Sequence, residues 1–406
     1  MRIILFTFLL VILFSCGRKG TGEKESNPVL EIDLLSEPDS RILKLSDFAS
    51  DVGYIPFLTT GSSLMGNVRR KIVNRGNRIY LDNIEGLSNP GIYCFDTDGK
   101  FLFKLQNSGR GPGEYTFVTD FDVSSDNKFL TLISSTDHKL VVYGISEAGF
   151  AYQRSISLKD PVPWRVSIVP ETGNMFLAIA PWIGNEPALS LMINAEGDTV
   201  QFKPNCYKYV MARKTNYMAI NEMLVYSIGN VVCFKEEFSD TVFCTDAKNN
   251  SFKPRMILNS HGTLSTPEMR GNPHASANDI TGINNVFETP RYVLYWYSKG
   301  VIQNCILFDK SNMKKYRIDI DNHIKSRLKD DLSGGPDFNI EFLNHYCSGG
   351  RLFSFVEAIT LKNYVASEDF KDAMVRDPKR KDELKRLADS LKETDNPVLV
   401  VVTPKE

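Results

Sequence analysis

Short apolar runs rich in Val, Ile, Phe and Tyr recur along this chain, each broken every eight to twelve residues by Asn, Asp, Gly or Lys. That rhythm predicts β-strands joined by turns. One hairpin pattern, an apolar strand, a polar turn and a second strand, appears five times. The copies are IYCFDTDGKFLFKL from Ile92, VVYGISEAGFAYQ from Val141, LMINAEGDTVQF from Leu191, VFCTDAKNNSFKP from Val242 and ILFDKSNMKKYRI from Ile306. With Phe95, Tyr143, Ile193, Cys244 and Phe308 taken as equivalent, the intervals are 48, 50, 51 and 64 residues.

A period near fifty leaves room for four strands and their loops, the repeat of a β-propeller blade; a sandwich would not explain it. Each hairpin is read as the outer pair of a blade. The second strands are then 77–83, 127–133, 173–179, 221–227 and 290–296, with a sixth copy at 349–357. The expectation is an all-β, six-bladed propeller of four-stranded blades. The sixth blade lacks its outer hairpin, and PVLVVV (Pro397–Val402) with DVGYIPF (Asp51–Phe57) are the strands left to complete it. Pairing them closes the ring with both termini and removes an open edge.

Two stretches break the pattern. Asn259–Thr289 is polar and reads as a long loop. A helical insertion is expected at 369–394, where Asp377 caps, Pro378 starts, and Leu384, Leu387 and Leu391 share one face. That stripe is read as packing onto the propeller, with an exposed partner-binding stripe as the other reading.

The first residues give an address. Arg2 precedes the apolar stretch Ile3–Phe14, interrupted only by Thr7. Twelve residues reach about 18 Å, short of a hydrocarbon core roughly 30 Å thick, so a secretory signal fits better than a spanning helix. Leu13-Phe14-Ser15-Cys16 resembles the lipobox of bacterial lipoproteins, which implies cleavage after residue 15 and acylation of Cys16. Residues 16–28 then form a polar flexible tether, and residues 29–406 a single propeller domain. A cell-envelope location follows. Residues 17–20 lack an acidic cluster, which favours the periplasmic side over the cell surface.

Composition changes little. The 406 residues carry 48 Lys+Arg against 49 Asp+Glu, so no charge excess argues for nucleic acid. Cys94, Cys206, Cys233, Cys244, Cys305 and Cys347 show no CxxC or zinc spacing. Buried thiols are the expectation, with Cys233–Cys244, facing across one hairpin, as the candidate disulfide.

The stretch FDTDGKFLFKLQNSGRGPGEYTFVTDFDV (Phe95–Val123), with its Gly109–Tyr115 loop, resembles the exported six-bladed propeller lipoproteins of Bacteroidota, related to NHL-repeat propellers. Glu236–Leu258 and Tyr54–Phe57 extend the resemblance over the mature chain. It implies fold and address, and no reaction.

Candidate chemistry sits on the loops. Arg110, Glu114, Tyr115, Asp137 and His138 come from neighbouring loops of blade two. Arg110 suits a carboxylate or phosphate, and His138 could move protons near neutral pH. Otherwise Gly109, Gly111 and Gly113 supply unusual backbone angles while Arg110 and Glu114 tie the turn down. Trp164, Arg165 and Trp182 fall on the same face at blade three, where the two indoles form either a stacking platform or loop packing; Trp296 is read as core. The GxGPG run opens no helix and no GK[ST] follows, so it is no phosphate loop. No HExxH or GxSxG motif is present, and no SxxK stands out. His138, His261, His274, His323 and His345 are scattered, and no metal ligand is assigned, although one residue per blade could place calcium or zinc in the channel.

Two functions from different classes remain. The first is a lipid-anchored binding or assembly protein, monomeric and without cofactor, that holds a protein, peptide or glycan on its loop-rich face. The second is an NHL-like metal-dependent lyase or lactone hydrolase with its site in the central channel.

Overall fold

A computed structural model describes residues 29–66, 71–85, 89–179, 184–210, 223–271, 280–320, 326–340 and 347–406. Cys16 and Trp182 lie outside the described residues, as do His274, His323 and His345. The chain forms six antiparallel sheets arranged as a ring, a six-bladed β-propeller. From inner to outer strand, blade one is Ile72–Arg75, Arg78–Glu85, Asn89–Asp96 and Phe101–Leu105. Blade two is Val118–Val123, Phe129–Ser134, Lys139–Ser146 and Gly149–Ser157. Blade three is Pro163–Ile168, Met175–Ile179, Ala188–Ile193 and Thr199–Pro204. Blade four is Met223–Ile228, Val231–Glu236, Thr241–Asp246 and Ser251–Asn259. Blade five is Thr281–Glu288, Tyr292–Lys299, Ile302–Asp309 and Lys314–Ile318.

All five recurrent hairpins are outer pairs. One second strand is misplaced in the sequence reading: 221–227 overlaps the inner strand of blade four, and Val231–Glu236 is its second strand. Both runs are apolar and only Gly229-Asn230 separates them, so periodicity alone does not tell them apart. The expected loop 259–289 likewise contains the inner strand of blade five, Thr281–Glu288, and a short helix, Pro267–Gly271. TGINNVFE is too polar to read as a buried strand.

Blade six is assembled from both ends. Its strands are Cys347–Ser348, Arg351–Val356, Val398–Pro404 and Ala49–Pro56. Val398–Pro404 pairs on one side from Pro56↔Val398 to Ala49↔Pro404, and on the other from Leu352↔Val402 to Val356↔Val398. A fully surrounded strand should be apolar on both faces, and Val398, Leu399 and Val402 have no exposed surface. Asn396, 2% exposed, fixes the turn before it by donating to the carbonyls of Leu58 and Ser63 at 3.1 and 2.9 Å.

The segment before blade six straps the outside of the ring. Leu30–Asp33 adds a fifth, parallel strand to blade four. Asp39 bridges to Tyr316 of blade five, and Lys44 to Lys329. Leu34, Leu45 and Phe48 are fully buried along this path. Lys315 donates to the Asp33 carbonyl at 2.7 Å and to that of Ser36.

Three helices, Ala358–Ala366, Glu368–Asp372 and Pro378–Ser390, join the second and third strands of blade six. Asp377 caps the last one, accepting from the Lys379 and Arg380 amides at 3.0 and 3.4 Å, with Pro378 at the first helical position. Leu384 and Ala388 are buried in the main core cluster, and Leu387 and Leu391 pack against it. The stripe therefore packs inward.

Because closure depends on Val398–Pro404, a chain ending at residue 397 should lose its single cooperative urea transition, whereas removal of Lys405 and Glu406 alone should leave it intact. Cooperative unfolding of the shorter chain would show that blade six is dispensable.

Candidate functional site

In each blade the inner strand descends, the second rises, the third descends and the outer strand rises. Connections from second to third strands, and from an outer strand to the next inner one, therefore emerge at one face. There lie residues 106–117, 135–138, 158–162, 237–240 and 260–271, and the helical insertion.

The Gly109–Tyr115 loop is held by its own residues. The Glu114 carboxylate accepts the Gly111 amide at 2.8 Å. Gly109 and Gly113 have φ of 152° and 72°, and a Cβ at Gly109 would fall 2.0 Å from Glu114 Oε2. Tyr115 is wholly buried in the core between blades one and two and donates to the Leu105 carbonyl at 3.1 Å. Tyr143 closes the loop from beneath by donating to the Gly113 carbonyl at 2.7 Å. Glu114 and Tyr115 thus serve the turn.

Arg110 approaches Asp137 above it, and His138 follows Asp137 in the chain. The Arg110 side chain is 85% exposed and its Nε lies 3.9 Å from Asp137 Oδ1. Asp137 accepts from Ser134 Oγ at 2.6 Å and Thr116 Oγ1 at 3.0 Å. Burial works against its charge, but those hydroxyls and Lys139 outweigh it and hold the carboxyl below its ordinary range. His138 takes a left-handed backbone conformation, φ 49°, which presents its imidazole 3.5 Å from Asp160. This group can hold an anion at Arg110 and exchange a proton at His138. Trp164 is half-buried on the first turn of blade three's inner strand.

Arg165 belongs elsewhere. It lines a narrow axial cavity of about 50 Å³ formed by inner strands, together with Lys71, Arg75, Asp120, Asp122 and Ser167. That is room for a few waters at roughly 10–15 Å³ each. Two aspartates of blade two organise it. Asp120 accepts from Lys71 Nζ of blade one at 3.2 Å and from the Val166 amide of blade three at 2.9 Å. Asp122 accepts from Arg75 at 3.1 Å and from the Ile168 amide at 2.8 Å. None of these four charged residues stands out as a candidate in the sequence. The available signal is Asp-Phe-Asp inside Val118–Val123: alternate carboxylates on an otherwise apolar, wholly buried strand must face polar partners.

This donor set does not fit a divalent cation. Calcium takes six to eight oxygens and zinc about four ligands. The channel has two carboxylates, both from one strand and both already engaged, among three cationic side chains. No group of three His, Cys, Asp or Glu suited to a metal occurs among the described residues.

A second buried polar group lies at the top of blade four. Lys235, 1% exposed, donates to the carbonyls of Glu236 and Glu237 at 2.9 and 3.3 Å. Burial pushes its ammonium down to about 8, against the pull of Glu237, Asp240 and Glu236. Glu236 pairs with Lys203 of blade three. Among the cysteines, Cys233 and Cys244 are cross-strand partners, and both are buried free thiols. Cys94 and Cys305 are buried as well, whereas Cys206 is exposed.

The family model described as Domain of unknown function (DUF4934) matches residues 29–403, and the chain belongs to that family. A crystal structure of a "Putative exported protein" from Bacteroides fragilis is similar at 19% identity and a TM-score of 0.64, over 93% of this chain and 99% of that one. A DUF4221 family member from Bacteroides vulgatus has 11% identity and a TM-score of 0.45, over 66% of this chain and 84% of its own. No curated protein matches.

Two measurements test these assignments. Asp120→Ala leaves the half-buried Lys71 ammonium with only the Val166 carbonyl at 3.5 Å and the Val166 amide without its acceptor, which should cost about 3 kcal/mol in urea unfolding. A loss under 1 kcal/mol would mean Asp120 does not clamp the three blades. For Lys235, the unfolded chain binds one more proton than the folded chain between pH 8 and pH 10.5, so wild-type stability should rise with pH there relative to Lys235→Met. A gap between the two proteins that is constant with pH would refute a charged, buried Lys235.

Proposed function

We propose that this member of the DUF4934 family is an exported, lipid-anchored binding or assembly protein whose loop-bearing face holds its partner. The carrying observation is where apolar side chains reach solvent. Of the ten large apolar side chains at least 44% exposed among the described residues, Leu58, Leu64, Val210, Val301, Ile359 and Met374 lie on connections at that face and Ile302 begins the strand after one of them, whereas Ile42, Phe202 and Met313 lie elsewhere. Apolar surface clustered on one side of a closed scaffold marks an interaction site. The Arg110–Asp137–His138 group adds charge at the same face, suited to a carboxylate of the partner. The apolar stretch Ile3–Phe14 followed by Cys16 supports the address, and the description of the similar Bacteroides fragilis protein agrees with export. Lipid at Cys16 would fix the tether, residues 16–28, to a membrane and leave the propeller free to turn its loops toward a partner.

A photo-crosslinking side chain placed at Val301 or Met374 should give a discrete adduct in intact cells. The same group at Met313, 58% exposed on the opposite face, should give none. Equal labelling at the three positions would refute a one-faced binding surface.

A further inference from the structure

A cleft of about 730 Å³ opens at the loop-bearing face of blade six, between residues 326–340 and the helical insertion. That volume is in the range of sites that enclose a small molecule. Its apolar lining includes Phe338, Phe355 and Val356, and Tyr364 of the helix Ala358–Ala366 joins them. The charged lining is unequal, with five carboxylates against three cations.

Most of those charges are already balanced. Asp330 accepts the Leu332, Ser333 and Gly335 amides at 2.9, 2.9 and 3.1 Å, and Asp331 accepts the Ser46 amide at 2.9 Å and hydroxyl at 2.6 Å. Arg327 has a partner of its own. Its strand pairs Arg327 with Asn339 and Leu328 with Phe338, and one residue further that register sets Lys329 opposite Asp337. What remains is Lys44 against Asp369 and Asp372.

Those two carboxylates lie three residues apart on the helix Glu368–Asp372, so they share the face that lines the cleft. Both are exposed, and neither forms an ion pair among the described residues. Like charges at that spacing repel, and Asp372 ends its helix, where a carboxylate is least welcome. The neighbouring cations are committed elsewhere: Lys371 pairs with Glu368, and Lys381 donates to the Lys371 and Ala373 carbonyls at 3.0 and 2.7 Å. Burial, then the charges of Asp337, Asp330 and Asp369, push the Tyr364 hydroxyl up to about 12, which agrees with carboxylates gathered near its ring. Asn339 Oδ1, also at the lining, is buried without a hydrogen-bond partner.

We propose that this cleft binds an organic cation, a primary ammonium on an apolar stem, carried either by a free amine or by the lysine side chain of a partner. The ammonium lies beside Asp369 and Asp372, the stem covers Phe338 and Phe355, and the Tyr364 ring adds its face to the cation. The Asn339 amide is a further acceptor for an N–H. An anionic ligand would add to a charge already in excess, and a neutral glycan would cover two unpaired carboxylates without a counter-charge. The inference deepens the binding reading above, resting on it only in taking the loop-bearing face as the working surface.

The test is calorimetric titration of the full chain with phenylbutylamine, phenylbutanol and phenylbutyrate, which share a stem and differ in charge. The amine should bind about tenfold or more tightly than the alcohol, and the carboxylate more weakly than either. Asp369→Asn with Asp372→Asn should bring the amine down to the affinity of the alcohol, while the alcohol's own affinity stays that of wild type and shows the cleft intact. Asp382→Asn, an exposed carboxylate of the insertion outside this cleft, should change nothing. N-acetyl-lysine methylamide separates the two sources. Binding close to that of the amine, lost in the double variant, identifies a partner's lysine; binding of phenylbutylamine alone identifies a free amine. No binding of the amine, equal affinity for amine and alcohol, or an amine affinity that the double variant leaves unchanged would each overturn the proposal. The titration needs no partner protein, so its failure leaves the crosslinking outcome standing, and a failed crosslink leaves the titration standing.

Discussion

Five blades are built from consecutive strands, but the sixth takes its outer strand from residues 49–56 and its third from 398–404, and seven cross-strand partners join them. Without that pairing blade six is left as Cys347–Ser348 and Arg351–Val356, too little to bury its neighbours. Blade one would then lose the Phe57 and Leu399 side chains that share its core cluster. Every loop on the working face is placed by a ring that exists only once this pairing is made. The helical insertion depends on it most directly, since it is carried between two strands of the closing blade.

Two kinds of contact hold the blades to one another. Away from the axis they are apolar: Phe176 of blade three meets Phe234 of blade four at 4.8 Å between ring centroids, and, on outer strands, Phe103 of blade one meets Phe150 of blade two at 5.0 Å. At the axis they are polar and directional, with the blade-two aspartates reaching both neighbours. Area burial tolerates small sliding, whereas hydrogen bonds to the Val166 and Ile168 amides fix register. The channel charges therefore read as alignment of blades one to three, and the chemistry open to a ligand lies above them.

Much of this was legible before any coordinates, for physical reasons that also explain the gaps. Outer hairpins announce themselves because third strands are buried on both faces and their turns need Asp, Gly and Asn. Closing strands stood out because PVLVVV has no other use. Inner strands were hard to see: they face a polar channel, so Ile72–Arg75, Val118–Val123 and Thr281–Glu288 mix charged or amide side chains with apolar ones. The candidate site divides in the same way. Arg110, Asp137 and His138 were recognisable as loop residues; Arg110 and Asp137 approach to 3.9 Å, while the His138 imidazole turns to Asp160. Tyr115 and Glu114 turned out to build their loop, and Arg165 to face the axis, because direction along a strand is set by register that spacing does not reveal. The blade-six cleft was invisible, since its walls come from residues 44, 326–340 and 364–374, which only ring closure brings together.

The pairing of Pro56 with Val398 spans 342 residues. At the usual pace of synthesis, about 5–20 residues per second, roughly 20 to 70 s separate the appearance of the two strands. Throughout that interval Ala49–Pro56 has no partner, and the strap behind it has only part of its ring to lie on. Non-local pairing of this kind is slow in itself, and an unpaired strand invites association with other chains. Folding of this protein therefore has a built-in waiting period, ended by the last strand to be made, during which something other than its own sequence must keep the first one from finding the wrong partner.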